Sequence, residues 1–272
     1  MNYKHYLAIG LCVLALVVVY LFGNTKKPKD LSQKNGPKQE ASASNADIEA
    51  TLKTVNSQLS KDTLAIINAL LKDPENVKNI DSVAHIYNVA GFSGVASYYL
   101  YDLAKKKNEL TLWVKAGDQN YQAAMILNSP ENSGLLFQNA LACFKKATEL
   151  APTNTSYQIK LAQCYMDGTQ DVMSGVGILR DIVAKDSNNA EAQFTLGRFG
   201  IVSKQFDKAI KRLEKVVSLQ PSNVDAYLLL AEAYENVGEN KSAVNALEKA
   251  KKLIKDPDLT KEINDYIKHL KQ

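Results

Sequence analysis

Apolar positions along this chain change their spacing in ways that divide it into segments. From Tyr6 to Gly23 (YLAIGLCVLALVVVYLFG) the residues are uncharged and almost wholly apolar. As a helix this run would span about 27 Å at ~1.5 Å per residue, near the hydrocarbon thickness of a bilayer. Lys4 precedes it, Lys26 and Lys27 follow it, and Tyr3, Tyr6 and Tyr20 sit near its ends, where aromatic rings favour the interface. The pattern predicts an uncleaved transmembrane anchor over 6–23 behind a short tail, 1–5. A cleaved signal peptide is the alternative, although no A-x-A-like site follows the run and Leu11 before Cys12 does not fit a lipoprotein cleavage site. Residues 24–46 then carry one large apolar residue, Leu31, with two prolines. Such a segment cannot bury enough surface to offset chain entropy and reads as a flexible Lys-rich linker.

From Asp47 the spacing turns helical. Ile48, Leu52, Val55 and Leu59 recur at 4-3-4 intervals, and Ile66, Ile67, Leu70 and Leu71 continue an apolar face until Asp73-Pro74. Residues 47–80 therefore form an N-terminal helical region, packed onto its own domain or, alternatively, paired in a coiled coil. Asp81–Ala90 and Phe92–Lys107 read as two helices turning at Gly91, with Ala96, Leu100 and Leu103 on one face of the second. At the other end, Asp256-Pro257 opens a helix with Leu259, Ile263, Ile267 and Leu270 on one face and a strongly polar opposite face, a capping helix over 256–272.

Between these ends one pattern recurs. Leu196-Gly197 is followed by Ala209, Leu213, Val216 and Pro221; Leu230-Ala231 is followed by Ala243, Leu247 and Ala250. The pairs Leu196/Leu230, Ala209/Ala243, Leu213/Leu247 and Val216/Ala250 share one interval of 34 residues. A fixed period in this range marks stacked repeats whose small residues allow close helix approach. Earlier units show the same marks: Trp113, Ala116-Gly117 and Tyr121, then Ala140, Phe144, Ala147 and Pro152; Leu161-Ala162 and Tyr165, then Gly175, Leu179 and Ile182. An insertion of about 11 residues near Asn128–Gly134 predicts a longer inter-helix loop. Asn154, Asn189 and Asn223 fall just before successive first helices and predict N-caps. The pattern resembles the tetratricopeptide repeat (TPR) family, W-x2-L-G-x2-Y followed by A-x3-F and P. The resemblance implies an all-α fold, a right-handed α-solenoid of helix-turn-helix repeats behind the N-terminal transmembrane helix. The array would cover 81–255, with its best units at 113–154, 155–189, 190–223 and 224–255.

Charge changes the picture only through its placement. Residues 1–46 hold six lysines against Asp30 and Glu40, which is the whole of the formal net charge of +4. The remainder is neutral and lacks the electrostatic footprint of a nucleic-acid binder. Cys12, Cys143 and Cys164 make no zinc or redox spacing; Cys143 and Cys164 read as buried small hydrophobes, with a disulfide as the alternative. His5, His85 and His269 are scattered, Gly175-Val-Gly177 lacks a strand and a third glycine, and no nucleophile-elbow, kinase or HExxH signature appears. No metal, cofactor, catalytic residue or small-molecule substrate is predicted, and the chain does not read as an enzyme.

Recognition of protein partners remains. In the resembled family, first helices line a concave groove that reads a segment of a partner. Carried over unit by unit, the groove positions are Ile159, Gln163 and Met166; Phe194, Arg198 and Ile201; and Leu228, Glu232 and Glu235. The Lys and Asn of the family's carboxylate clamp are absent from these places. The resemblance thus implies a membrane-tethered scaffold, assisting assembly or quality control of envelope proteins; a permanent structural subunit of a membrane complex is the alternative. The signal-like shape of the N-terminus puts the repeats on the extracytoplasmic side, while the lysines after Gly23 pull them inward.

Overall fold

The computed structural model describes residues 45–127 and 130–271, and among them it contains thirteen α-helices and no strand. The tail 1–5, the apolar run Tyr6–Gly23 and most of the linker, 24–44, lie outside the described residues. No helix among the described residues is long and apolar enough to cross a membrane.

In chain order the helices are α1 (Asn45–Asn56), α2 (Lys61–Leu70), α3 (Val77–Val89), α4 (Ser93–Lys107), α5 (Leu110–Leu127), α6 (Pro130–Leu150) and α7 (Thr155–Gly168). There follow α8 (Val172–Lys185), α9 (Ala190–Val202), α10 (Phe206–Leu219), α11 (Val224–Asn236), α12 (Asn240–Leu253) and α13 (Pro257–Leu270). Each packs against its neighbour in the chain from α2 onward, and the odd-numbered helices α7, α9 and α11 also touch one another in succession. The odd-numbered helices therefore share one face of the stack.

The sequence dictates these helices through their ends and their stripes. Asn154, Asn189 and Asn223 are N-caps, their side chains accepting from the backbone N–H groups of Tyr157, Ala192 and Ala226. Asp256 caps α13 in the same way, with Pro257 at the first helical position, where its missing N–H costs nothing. On α10, Ala209, Leu213 and Val216 are fully buried while Lys208 and Lys211 point to solvent. The core is a series of layers rather than one mass. Val55, Ile67, Tyr87, Leu103 and Trp113 belong to one layer, Ile159, Leu179 and Leu196 to another, and Leu213, Leu230, Leu247 and Ile267 to a third.

The apolar stripe of 47–80 is divided at Ser57–Ser60, where the Ser60 side chain caps α2 by accepting from the Thr63 N–H. Leu52, Val55 and Leu59 pack onto the domain's own first layer. One expectation is corrected: among the described residues the 11-residue insertion forms no long loop. It lengthens both helices of its unit, giving 18 residues in α5 and 21 in α6, against 13 or 14 in each helix from α7 to α12. Each residue by which α5 and α6 are lengthened adds one backbone hydrogen bond, which favours propagation over an open loop.

Candidate functional site

The shared face of the odd-numbered helices is tied together by side chains in a repeated register. Tyr87 donates to Asn56 at 2.7 Å, joining α3 to α1. Asn88 and Gln119 exchange hydrogen bonds at 3.0 Å, joining α3 to α5. Arg198 on α9 makes a forked contact to Asp167 on α7, at 2.9 and 3.2 Å. Tyr266 on α13 donates to Glu235 on α11. All four pairs are 31 residues apart. That is one 34-residue repeat forward and roughly one helical turn back. Lys160 and Asp118 pair across 42 residues, which exceeds 31 by the 11 inserted residues.

Asp167 is the most heavily used of these groups. Besides Arg198 it accepts from the Tyr121 hydroxyl at 2.5 Å, so one carboxylate joins α5, α7 and α9. Burial, and after it the adjacent Asp167 carboxylate, push the Tyr121 hydroxyl well above its ordinary range, so it remains a donor. The Tyr121 ring in turn meets Phe137 edge-on, with centroids 5.8 Å apart. Arg198 is thus held in place by groups of the protein itself, with its charge already answered.

The nine residues predicted for the groove fall into distinct environments, Arg198 being the one already placed by its pair with Asp167. Ile159 is 0% and Ile201 9% exposed; both belong to the core layers, and Ile159 offers no surface to a partner. Gln163 and Met166 on α7 are half-buried, Gln163 donating to Thr195 at 3.4 Å and Met166 resting on the α7–α9 layer. Phe194 and Leu228 are half-buried against the layer that contains Ile201, so the step from α9 to α11 is apolar where other steps are polar. Leu228, Glu232 and Glu235 come together with residues of α13 around one open cleft of about 510 Å3.

That cleft lies between α11 and α13 over Leu247 of α12. Leu228, Leu259 and Ile263 supply apolar walls; Glu232, Glu235 and Glu262 supply carboxylates, and Asn236 and Tyr266 complete the lining. Among the described residues, no lysine or arginine lines it. Burial, then the neighbouring Glu235, push the Glu232 carboxyl above its ordinary value. Sequence reasoning missed Tyr121, Asp167, Glu262 and Tyr266. The missed signal is the 31-residue interval, which pairs residues between repeats, whereas the 34-residue interval only aligns them.

Cys143 and Cys164 are free, buried thiols, pushed above their ordinary range chiefly by that burial. Among the described residues no group of three or more His, Cys, Asp or Glu side chains is placed to hold a metal ion.

Residues 201–259 match the family model described as tetratricopeptide repeat. No curated protein matches the sequence. Among solved structures, the Cut9–Hcn1 hetero-tetramer of the APC/C is similar at a TM-score of 0.52 and 15% identity, covering 81% of this chain and 41% of that one. This likeness shows the fold, a TPR-like helical solenoid. MamA 41-end from Desulfovibrio magneticus RS-1 aligns at a TM-score of 0.48 and 19% identity, over 66% of this chain and 95% of that one. YrrB, a TPR protein with an unusual peptide-binding site, aligns at 0.45 and 19%, over 74% and 98%.

Proposed function

We propose that this chain, with tetratricopeptide repeats matched over 201–259, is a scaffold that binds protein partners on the face shared by its odd-numbered helices. One observation carries the reading. Met166, Phe194 and Leu228 stand half-buried on three successive helices of that face, Met166 next in the chain to the ion-paired Asp167 and Leu228 in the wall of the acidic cleft. An apolar strip bounded by polar groups is the usual anatomy of a recognition surface.

The apolar run 6–23 supplies the tether in this proposal, with the repeats on the extracytoplasmic side and client proteins of the envelope as partners. A location-dependent reporter fused after Gln272 tests the side: activity restricted to the cytoplasm refutes it.

The groove is tested by Met166→Ala with Phe194→Ala, compared with Lys208→Ala and Lys211→Ala on α10. Truncating the two half-buried side chains costs about 1–3 kcal/mol of packing, which the array tolerates. The first pair should weaken co-purification of bound protein by at least about tenfold. The second pair should leave it unchanged, and equal effects from both pairs refute the reading.

A further inference from the structure

The cleft between α11 and α13 differs from the rest of the shared face in how its acids are treated. Elsewhere on that face acidic side chains are answered internally: Asp81 by Lys115 at 2.6 Å, Asp118 by Lys160, and Asp167 by Arg198 at 2.9 Å. At the last step the residue opposite Glu235 is Tyr266, which supplies a hydrogen bond but no charge. Glu232 and Glu262 have no ion-pair partner among the described residues either, and three carboxylates converge on a cleft without a cation. Glu232 is partly desolvated there and lies close enough to Glu235 to be disfavoured by it. Leaving like charges together beside an apolar wall is costly unless something brings the opposite charge. The walls of Leu228, Leu259 and Ile263 suit the methylene stem of a long basic side chain, with its head at the carboxylates.

We propose that this cleft receives a lysine or arginine side chain, together with an adjacent apolar residue, from an extended segment of a protein partner. The proposal rests on the reading that the odd-helix face binds partners, and it adds the partner's chemistry at one end of that face. Charge complementarity chooses the occupant: the sub-site is acidic and apolar, and the neighbouring strip of Phe194 and Leu228 continues the path of the same segment.

The test uses the full-length chain and a fluorescent decapeptide carrying two lysines and two leucines in a glycine–serine background. Its binding is followed by anisotropy against a peptide with glutamates in place of the lysines, and against a peptide of this chain's own residues 24–44. The variants are Glu232→Gln with Glu235→Gln and Glu262→Gln, and separately Glu262→Lys at an exposed position, each checked for retained helicity. Binding of the lysine peptide alone, weakened at least about tenfold by either variant, supports the proposal. Equal binding of the glutamate peptide, or binding unchanged in both variants, overturns it. Preferential binding of the 24–44 peptide with the same carboxylate dependence overturns it in favour of the chain's own Lys-rich segment. None of these outcomes depends on Met166 or Phe194, so loss of the cleft proposal leaves the broader groove reading to its own experiment.

Discussion

At the residue scale, the repeat exposes where one position has departed from its equivalents. Gly238 adopts a φ of +78° in the turn between α11 and α12, and Lys204, one period earlier, adopts +58° between α9 and α10. Gly91 fills the corresponding turn between α3 and α4 at +86°. Only glycine enters this left-handed region without steric cost, so Lys204 carries strain that the other two turns avoid. Lys204→Gly should stabilise the domain by about 0.5–1 kcal/mol, the relief of strain being partly offset by the flexibility of glycine in the unfolded chain. Gly238→Ala should destabilise it by about 1 kcal/mol. Denaturant midpoints at constant slope decide both, and opposite signs would mean that the turn is not under strain. A second residue-scale prediction concerns Glu232, whose folded value is raised from 4.5 by burial and by Glu235. A raised value means that the folded state binds this proton more readily than the unfolded one. Lowering the pH through the raised value therefore favours folding, and the gain is complete below the ordinary carboxylate range. Glu232→Gln should be more stable than the parent at neutral pH, with the difference shrinking as the pH falls to that range. A difference constant with pH would remove the assigned interaction between Glu232 and its surroundings.

At the scale of the element, the helices were legible because local chemistry and tertiary packing agree. The Asn caps and the Ala209–Leu213–Val216 stripe are short-range signals that the structure uses as they stand. The exception is the insertion, where periodicity revealed extra residues but not their conformation, since helix and loop were both compatible with its polar composition. The site was less legible. Position in a repeat identifies the face a residue occupies, and for Gln163, Met166, Phe194, Arg198, Leu228, Glu232 and Glu235 the structure gives half-buried side chains. It does not tell how deeply a residue sinks, which depends on the approach of the next helix. Ile159 shows this: the closeness of α8 and α9 removes it from the surface entirely. At this layer α7 and α8 close up at Gly175, where a Cβ would lie 2.5 Å from the Ala162 carbonyl oxygen, and other helix pairs close up at glycines of the first helices. A Cβ on Gly197 would lie 2.9 Å from Leu213 Cγ, and one on Gly117 would lie 2.8 Å from the Phe144 ring. Gly197→Ala should therefore force α9 and α10 apart and cost about 1–3 kcal/mol despite the better helix propensity of alanine. A thermal midpoint equal to or above the parent's would show that the Leu213 side chain yields without cost.

At the scale of the whole molecule, layered packing makes stability a local property that passes from neighbour to neighbour. Ala243 is wholly buried on α12, within the layer formed by α9 to α13, and the first layer, formed mainly by α1 to α5, contains no residue of that set. In a one-dimensional array each unit's free energy is its own plus that of its interfaces, so damage decays with distance. A leucine at Ala243 overpacks the contact with α11 and should cost about 1–3 kcal/mol. Hydrogen exchange should then accelerate in α11, α12 and α13, less in α9 and α10, and hardly at all in α3 and α4. Uniform acceleration from α3 to α13 would mean that the array unfolds as a single cooperative unit, because only then does a local cost appear in full at every amide. The distinction bears on the proposed recognition face. With graded stability, exchange around the acidic cleft is set locally by α11, α12 and α13. A partner bound across α11 and α13 would then slow exchange there far more than in α3 and α4. Equal protection at both ends on binding would place the partner elsewhere.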